Sequence, residues 1–331
     1  MSVTIKDVAR EAGLSVATVS RVLNGSSNVS EEASKKVNET IKRLHYSPNF
    51  LGRNLRKCQT NVILCLMPSA EHSFYSKIVS GMQSYASKVR YDIITATTDG
   101  TQPGEERQLK MLFNRTVDGV VLLGTKNDKD TLNELSQHYN IALCCESVED
   151  AEVLTVVVDD DKAAYDATMA LVNKGHKKIA FIGTTYNAVS SVARENGYKR
   201  AMADAGLEIP EGYIYKDTYE YYCGGEAFQQ FWALEDKPTA IFAVSDLLAI
   251  SVTRKAYEMG VKVGEDIAVM GFDNISMCEM VIPTISTVEQ PCEKMGEIVI
   301  AKLIENINAT TKDNKHYAVE HKIILRESTG D

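Results

Sequence analysis

From Asn61 onward the chain alternates short apolar runs with longer segments whose apolar residues recur at helical spacing, and nothing else in it constrains the fold as strongly. Strands are expected at 62–67, 92–96 and 119–123, with helices at 74–86 and 105–113 between them. Short apolar runs separated by amphipathic helices belong to parallel sheets covered on both faces. A second series begins near Val156, with strands at 179–182, 240–244 and 267–270 and helices around 163–172, 192–205 and 247–259. The expectation is a two-lobed α/β body over 61–331, lobe one at about 61–160 and 291–320, lobe two at about 161–290 and 321–331. Open sheets of this kind bind ligands beyond the carboxyl ends of their strands, so two facing lobes predict a cleft.

The first sixty residues obey a different rule. Thr4 followed by Asp7 has the form of a capping box, and Ile5, Val8, Ala9 and Ala12 recur at helical spacing until Gly13. Ser15 can cap a second helix that turns Val19, Val22 and Leu23 toward a core and Ala17, Ser20 and Arg21 away from it. After the turn cluster 24–28, Ser30 can cap a third helix with Ala33, Val37, Ile41 and Leu44 on its apolar side. This predicts a small all-α helix-turn-helix domain over 1–47.

Charge points the same way. Net charge is −9, yet residues 1–60 carry ten Lys and Arg against five acids, which leaves −14 on the remainder. A basic first domain on an acidic body concentrates the attraction for phosphate in one place. In a helix-turn-helix the second helix enters the major groove, where Arg21 has the fork that reads guanine while Val16 and Ala17 can meet a thymine methyl. Val16 can equally be half-buried where the helix leaves the turn.

The stretch Val3-Thr-Ile-Lys-Asp-Val-Ala-Arg-Glu-Ala-Gly-Leu-Ser-Val-Ala-Thr-Val-Ser-Arg-Val-Leu-Asn24 resembles the LacI/GalR family of repressors, and the resemblance continues through Tyr46-Ser-Pro-Asn49 to the C-terminus. It implies a sequence-specific transcription regulator, a repressor, with a periplasmic-binding-protein-like effector domain. Its partners would be a pseudo-palindromic operator in double-stranded DNA, a second copy of the chain, and a small polar effector, a sugar or sugar phosphate. Val16, Ala17 and Arg21 fall at the specificity positions, and Thr18, Ser20 and Asn24 complete the candidate contacts on that helix. Residues 48–60 resemble the family's hinge helix, with Leu55 at the leucine that wedges into the minor groove and Arg53 and Lys57 as basic flanks. Gly52 stands where the family usually has alanine, which predicts a less pre-formed hinge. An alternative open at this point is control by a docked phosphocarrier-type protein, instead of or beside a small molecule.

Within the body, Arg194 and Asp273 are the leading effector candidates, because a guanidinium and a carboxylate at strand ends can each bond two ligand atoms. Both match the family's effector positions, while Glu146 stands where the family often has aspartate, Ser245 where many members have asparagine or threonine, and Asp246 follows it as a further candidate. Asp273 can also be a turn carboxylate that caps backbone amides. Apolar faces for a ring can come from Phe74 or Tyr75 in lobe one and from Tyr219 or Tyr221 in lobe two, and each can equally be core.

Other classes of function find little support. The chain has no nucleophile elbow, phosphate loop, dinucleotide fingerprint or zinc-protease motif, so neither enzyme activity nor a cofactor is expected. Its seven cysteines lack paired metal or redox spacing and read as buried thiols. With no bilayer-length apolar stretch and no secretion signal, a cytoplasmic location without membrane partners is expected.

Overall fold

The computed structural model describes residues 3–23, 29–46, 59–186 and 188–331, and the chain divides into two compact units, Met1–Thr60 and Asn61–Asp331. Asn24, Gly52, Arg53, Leu55 and Lys57 lie outside the described residues.

The first unit holds helices α1 (Ile5–Ala12), α2 (Val16–Leu23) and α3 (Glu31–Leu44). The capping box is complete: Thr4 Oγ1 accepts from the Asp7 amide and Asp7 Oδ2 accepts from the Thr4 amide. Gly13 ends α1 at φ +66°, with the Leu14 amide reaching back to the Ala9 carbonyl. That left-handed turn is open to glycine at no steric cost and swings the chain into α2. Val8, Ala9, Val19 and Val37 are buried at the centre, ringed by Ile5, Leu14, Val22, Ile41 and Leu44. A long-range ion pair, Arg43 to Glu11 at 3.2 Å, ties α3 to α1.

The second unit contains two six-stranded sheets. The lobe-one sheet has the order β11-β5-β4-β3-β1-β2, from β1 (Val62–Met67), β2 (Asp92–Thr97), β3 (Gly119–Leu122), β4 (Ile141–Cys144), β5 (Leu154–Val158) and β11 (His316–Val319), all parallel. The lobe-two sheet has the order β12-β10-β9-β8-β6-β7, from β6 (Ile179–Thr184), β7 (Ile214–Asp217), β8 (Ala240–Ala243), β9 (Ala268–Asp273), β10 (Ser286–Glu289) and β12 (Lys322–Ile324). Only β12 runs against its neighbour. The chain passes between the sheets after β5, after β10 and after β11, so three strands cross from lobe to lobe.

Helices α4 (Ser73–Lys88), α5 (Gln102–Phe113), α6 (Lys129–His138) and α11 (Cys292–Asn308) serve lobe one. Lobe two carries α7 (Asp160–Asn173), α8 (Val189–Asp204), α9 (Tyr221–Ala233) and α10 (Asp246–Glu258). α5 starts three residues before the expected position. Thr101 caps it through the Gly104 amide, and Pro103 sits in the first turn, where a missing N–H costs nothing. α4 and α11 pack backbone to backbone: a Cβ on Gly81 would fall on the Glu293 carbonyl oxygen, and one on Gly296 on that of Ile78. The six described cysteines are free, five of them buried. No helix among the described residues is long and apolar enough to cross a membrane.

Candidate effector cleft and DNA reader

Six polar side chains of the body lie at or just beyond the carboxyl end of a strand, where the backbone has left its ladder and side chains can converge. Glu146 follows β4, Asp160 follows β5, Tyr186 follows β6, Tyr219 follows β7, Asp273 ends β9 and Gln290 follows β10.

Arg194, on the inner face of α8, is the hub. Its Nε donates to Asp160 Oδ1 at 2.7 Å and one Nη to the Val244 carbonyl at 2.8 Å. That same Nη lies 3.9 Å from Asp273 Oδ1, and the guanidinium rests 3.7 Å from the centroid of the Phe272 ring. Burial works against the guanidinium's charge, and Asp160 and Asp273 more than offset it, so Arg194 is held firmly protonated. Arg194 is buried, with Ser190 and Ser191 beside it one turn earlier on the same helix.

Asp273 sits at φ +114° and Asn274 at +54°, two consecutive non-glycine residues in a region L-residues rarely adopt. The turn is held by Gln290 Nε2 donating to Asp273 Oδ1 at 2.8 Å and by the Asn274 amide donating to Thr287 Oγ1 at 3.3 Å. Burial raises the Asp273 carboxyl above the usual range, opposed by Arg194 and reinforced by Asp246. Asp160 and Glu146 are also raised, in each case first by burial.

Glu146 reaches from lobe one to lobe two. Its two carboxylate oxygens accept from the Ser190 amide at 3.1 Å and the Ser190 hydroxyl at 2.7 Å. Ala188, the N-cap of α8, offers no side-chain acceptor, so the helix is capped by a carboxylate from the opposite lobe. Tyr75 shares this region: burial raises its hydroxyl first, with Cys145, Tyr219, Asp273 and Glu146 adding to the effect. Phe74 packs edge-on against Tyr75, centroids 5.5 Å apart. Tyr219 pairs its hydroxyl with Ser191 at 2.8 Å and stacks on Tyr186 at 6.2 Å between centroids. On the outer side, Lys126 of lobe one places its ammonium 5.5 Å from the Tyr186 centroid.

Three expected residues are placed differently. Asp246 is fully buried, and its two oxygens accept from Thr287 Oγ1 at 2.6 Å and the Ile275 amide at 2.8 Å, so it braces the β9 turn from behind and does not face a ligand. Ser245 is buried and spends its hydroxyl capping α10 through the Leu248 amide. Tyr221 stands 45% exposed in the first turn of α9, two residues from the tyrosine that does point inward. Sequence reasoning missed Asp160, Ser190, Ser191, Tyr186 and Gln290. The position of Asp160 and Gln290 immediately after strands is the signal that marks them.

In the reader unit, Val16, Ala17 and Arg21 are exposed on α2, Val16 at 41%, while Val19 of the same helix is fully buried. The helix therefore presents the first three outward. Thr18 and Ser20 are half-buried, and the Thr18 hydroxyl is paired with Ser15 Oγ at 2.9 Å.

Comparison with known proteins fits both units. Residues 4–49 match the model of bacterial regulatory proteins of the lacI family, and residues 168–329 match a periplasmic binding protein-like domain. The chain is 35% identical over 331 residues to catabolite control protein A of Priestia megaterium, covering 99% of this chain and 100% of that protein. It is 33% identical to the NTD biosynthesis operon regulator NtdR of Bacillus subtilis (strain 168), covering 98% of this chain and 99% of that one. Among solved structures, a lac repressor dimer bound to operator and the anti-inducer ONPF superposes with a TM-score of 0.88 at 22% identity, covering 99% of each chain. A complex of the transcriptional regulator CelR with cellobiose gives 0.74 at 29% identity, covering 98% of this chain and 99% of that one. With a capped helix-turn-helix, a two-lobed α/β body and full-length relatives above 30% identity, the chain belongs to the LacI family of DNA-binding transcriptional regulators.

Proposed function

We propose that the chain is a repressor whose operator affinity is set by a small polar effector gripped between the two lobes of the body. The observation that carries this reading is the hub of Arg194, Asp160 and Asp273 on lobe two, facing Tyr75 and Glu146 of lobe one. A molecule seated there touches both lobes, so it distinguishes open from closed arrangements, and only such a difference in affinity can shift an equilibrium. The CelR–cellobiose complex supports a hydroxyl-rich ligand.

The working division is a reader at 1–47, a connecting segment at 48–60 and the effector body at 61–331. Arg21, Val16 and Ala17 read the base edges, and Arg53, Leu55 and Lys57 meet the duplex from the connecting segment. The chain acts as a homodimer on a pseudo-palindromic site. Lobe two leaves Met280 75% and Ile282 93% exposed, apolar surface suited to a second copy. The test is a thermal-shift screen of metabolites on the full chain, followed by operator titration with each hit. The reading predicts that a ligand which raises the melting temperature also changes operator affinity. Hits that leave operator affinity untouched contradict it.

A further inference from the structure

The cleft gathers more carboxyl groups than cationic ones. Glu146, Asp160 and Asp273 converge on it with Arg194 as the one buried guanidinium among them, and Asp246 lies directly behind. Two other cations nearby are committed elsewhere, Lys77 to the Asn274 carbonyl at 2.6 Å and Arg326 to Asn274 Oδ1 at 3.0 Å and Glu279 at 2.8 Å, while Lys126 stands at the exposed rim over Tyr186. His321 is bonded to Asp166 at 3.1 Å. Arg194 itself is spoken for on two sides, by Asp160 and by the Val244 carbonyl. A buried charge needs a partner, and in the free protein the surplus carboxylates meet that need by holding their protons more tightly than usual.

A second feature is independent of the carboxylates. Three tyrosines, Tyr75, Tyr186 and Tyr219, line the same space, two of them stacked. An aromatic face attracts an ammonium group, and the protein's own Lys126 already rests over Tyr186 at 5.5 Å.

We propose that the effector is an amine-bearing polyol, a small hydroxylated molecule with one protonated nitrogen, and that the cleft rejects phosphorylated ligands. This rests on the cleft being the effector site. The amine sits among Glu146, Asp160 and the tyrosine faces and supplies the missing positive charge, while hydroxyls pair with Asp273 and Arg194. A phosphate at the same place adds two negative charges to three carboxylates, and the one guanidinium is already engaged.

The test uses matched probes on the full-length chain by isothermal titration: glucosamine, glucose and glucose 6-phosphate, and beside them Tris, pentaerythritol and inorganic phosphate. The amine member of each set should bind about tenfold or more tightly than its neutral counterpart, the worth of one charge-assisted hydrogen bond, with no measurable binding of the phosphate member. In Glu146→Gln and in Asp160→Asn the amine preference should collapse toward one. An amine that binds no better than its neutral partner, or not at all, overturns the proposal, as does a phosphate that binds tightest. The two readings fail differently. Neutral or phosphate binding that Asp273→Ala and Tyr219→Ala abolish keeps the cleft and removes the charge preference, whereas binding that neither variant affects removes the cleft itself.

Discussion

Glu146 and Ser190, 44 residues apart and on opposite lobes, form a two-pronged hydrogen bond in which one carboxylate takes both the backbone amide and the hydroxyl of a single serine. It is a direct polar bond across the cleft, and it caps α8, the helix that carries Arg194. The link between the lobes and the placement of Arg194 are thus joined through one helix terminus.

Removing that link should loosen closure without unfolding either lobe. Glu146→Ala should cost about 1–3 kcal/mol of closed-state stability, because both hydrogen bonds from Ser190 are lost and the α8 terminus returns to water. Ser190→Ala keeps the amide bond and should cost about half as much. Small-angle scattering of the two variants should show a wider body in that order. An unchanged scattering profile in Glu146→Ala would mean that the remaining links, the crossing segments and the Lys77–Asn274 bond, set the lobe angle without it.

The pH dependence of stability has a definite sign. Glu146, Asp160 and Asp273 have their carboxyls raised by burial, so at a given pH each is more fully protonated in the fold than in the unfolded chain. Stability from these groups is greatest below the ordinary carboxylate range and declines as pH rises through and above it. Asp273→Asn should flatten this decline in urea-midpoint measurements from acid to neutral pH. A steeper decline in the variant would show that Arg194 holds Asp273 ionised in the free protein.

How much of this was legible in the sequence depends on whether the signal is local. The capping box of Thr4 and Asp7, the turn at Gly13 and the strand-end positions of Arg194's partner Asp273 are short-range patterns, and the structure has them where the sequence places them. Asp160 was hidden because it is the middle of an Asp159-Asp160-Asp161 run, which reads as ordinary helix-start acids. Tyr219 and Tyr221 are two residues apart on either side of the start of α9, where no single period holds, so pattern does not say which turns inward. Asp246 looked like a ligand group and is a brace, since its partners Ile275 and Thr287 are 29 and 41 residues away.

Backbone contact between α4 and α11 leaves no room for a methyl group. Gly296→Ala drives a Cβ into the Ile78 carbonyl, so helices must separate, at a cost of about 1–3 kcal/mol or more. Thermal melting should fall accordingly, while Gly206→Ala, at a helix end with open space around it, tests only backbone strain. Equal, small losses in both would contradict the close packing.

On the DNA side, Arg21→Ala should lose about 1–3 kcal/mol on the specific operator and almost nothing on random duplex. Fluorescence anisotropy on both duplexes measures the two losses together. An equal fall on both would reassign Arg21 to a phosphate contact.

The central claim is that the cleft around Arg194 governs the reader. Operator titration with and without an effector identified by thermal shift, run on the parent, Arg194→Ala and Asp273→Ala, tests it most directly. Both variants should bind operator with near-parental affinity in the absence of effector and lose the effector-induced change in affinity. Retention of the full effector response by both variants would contradict the account and place the trigger outside the cleft.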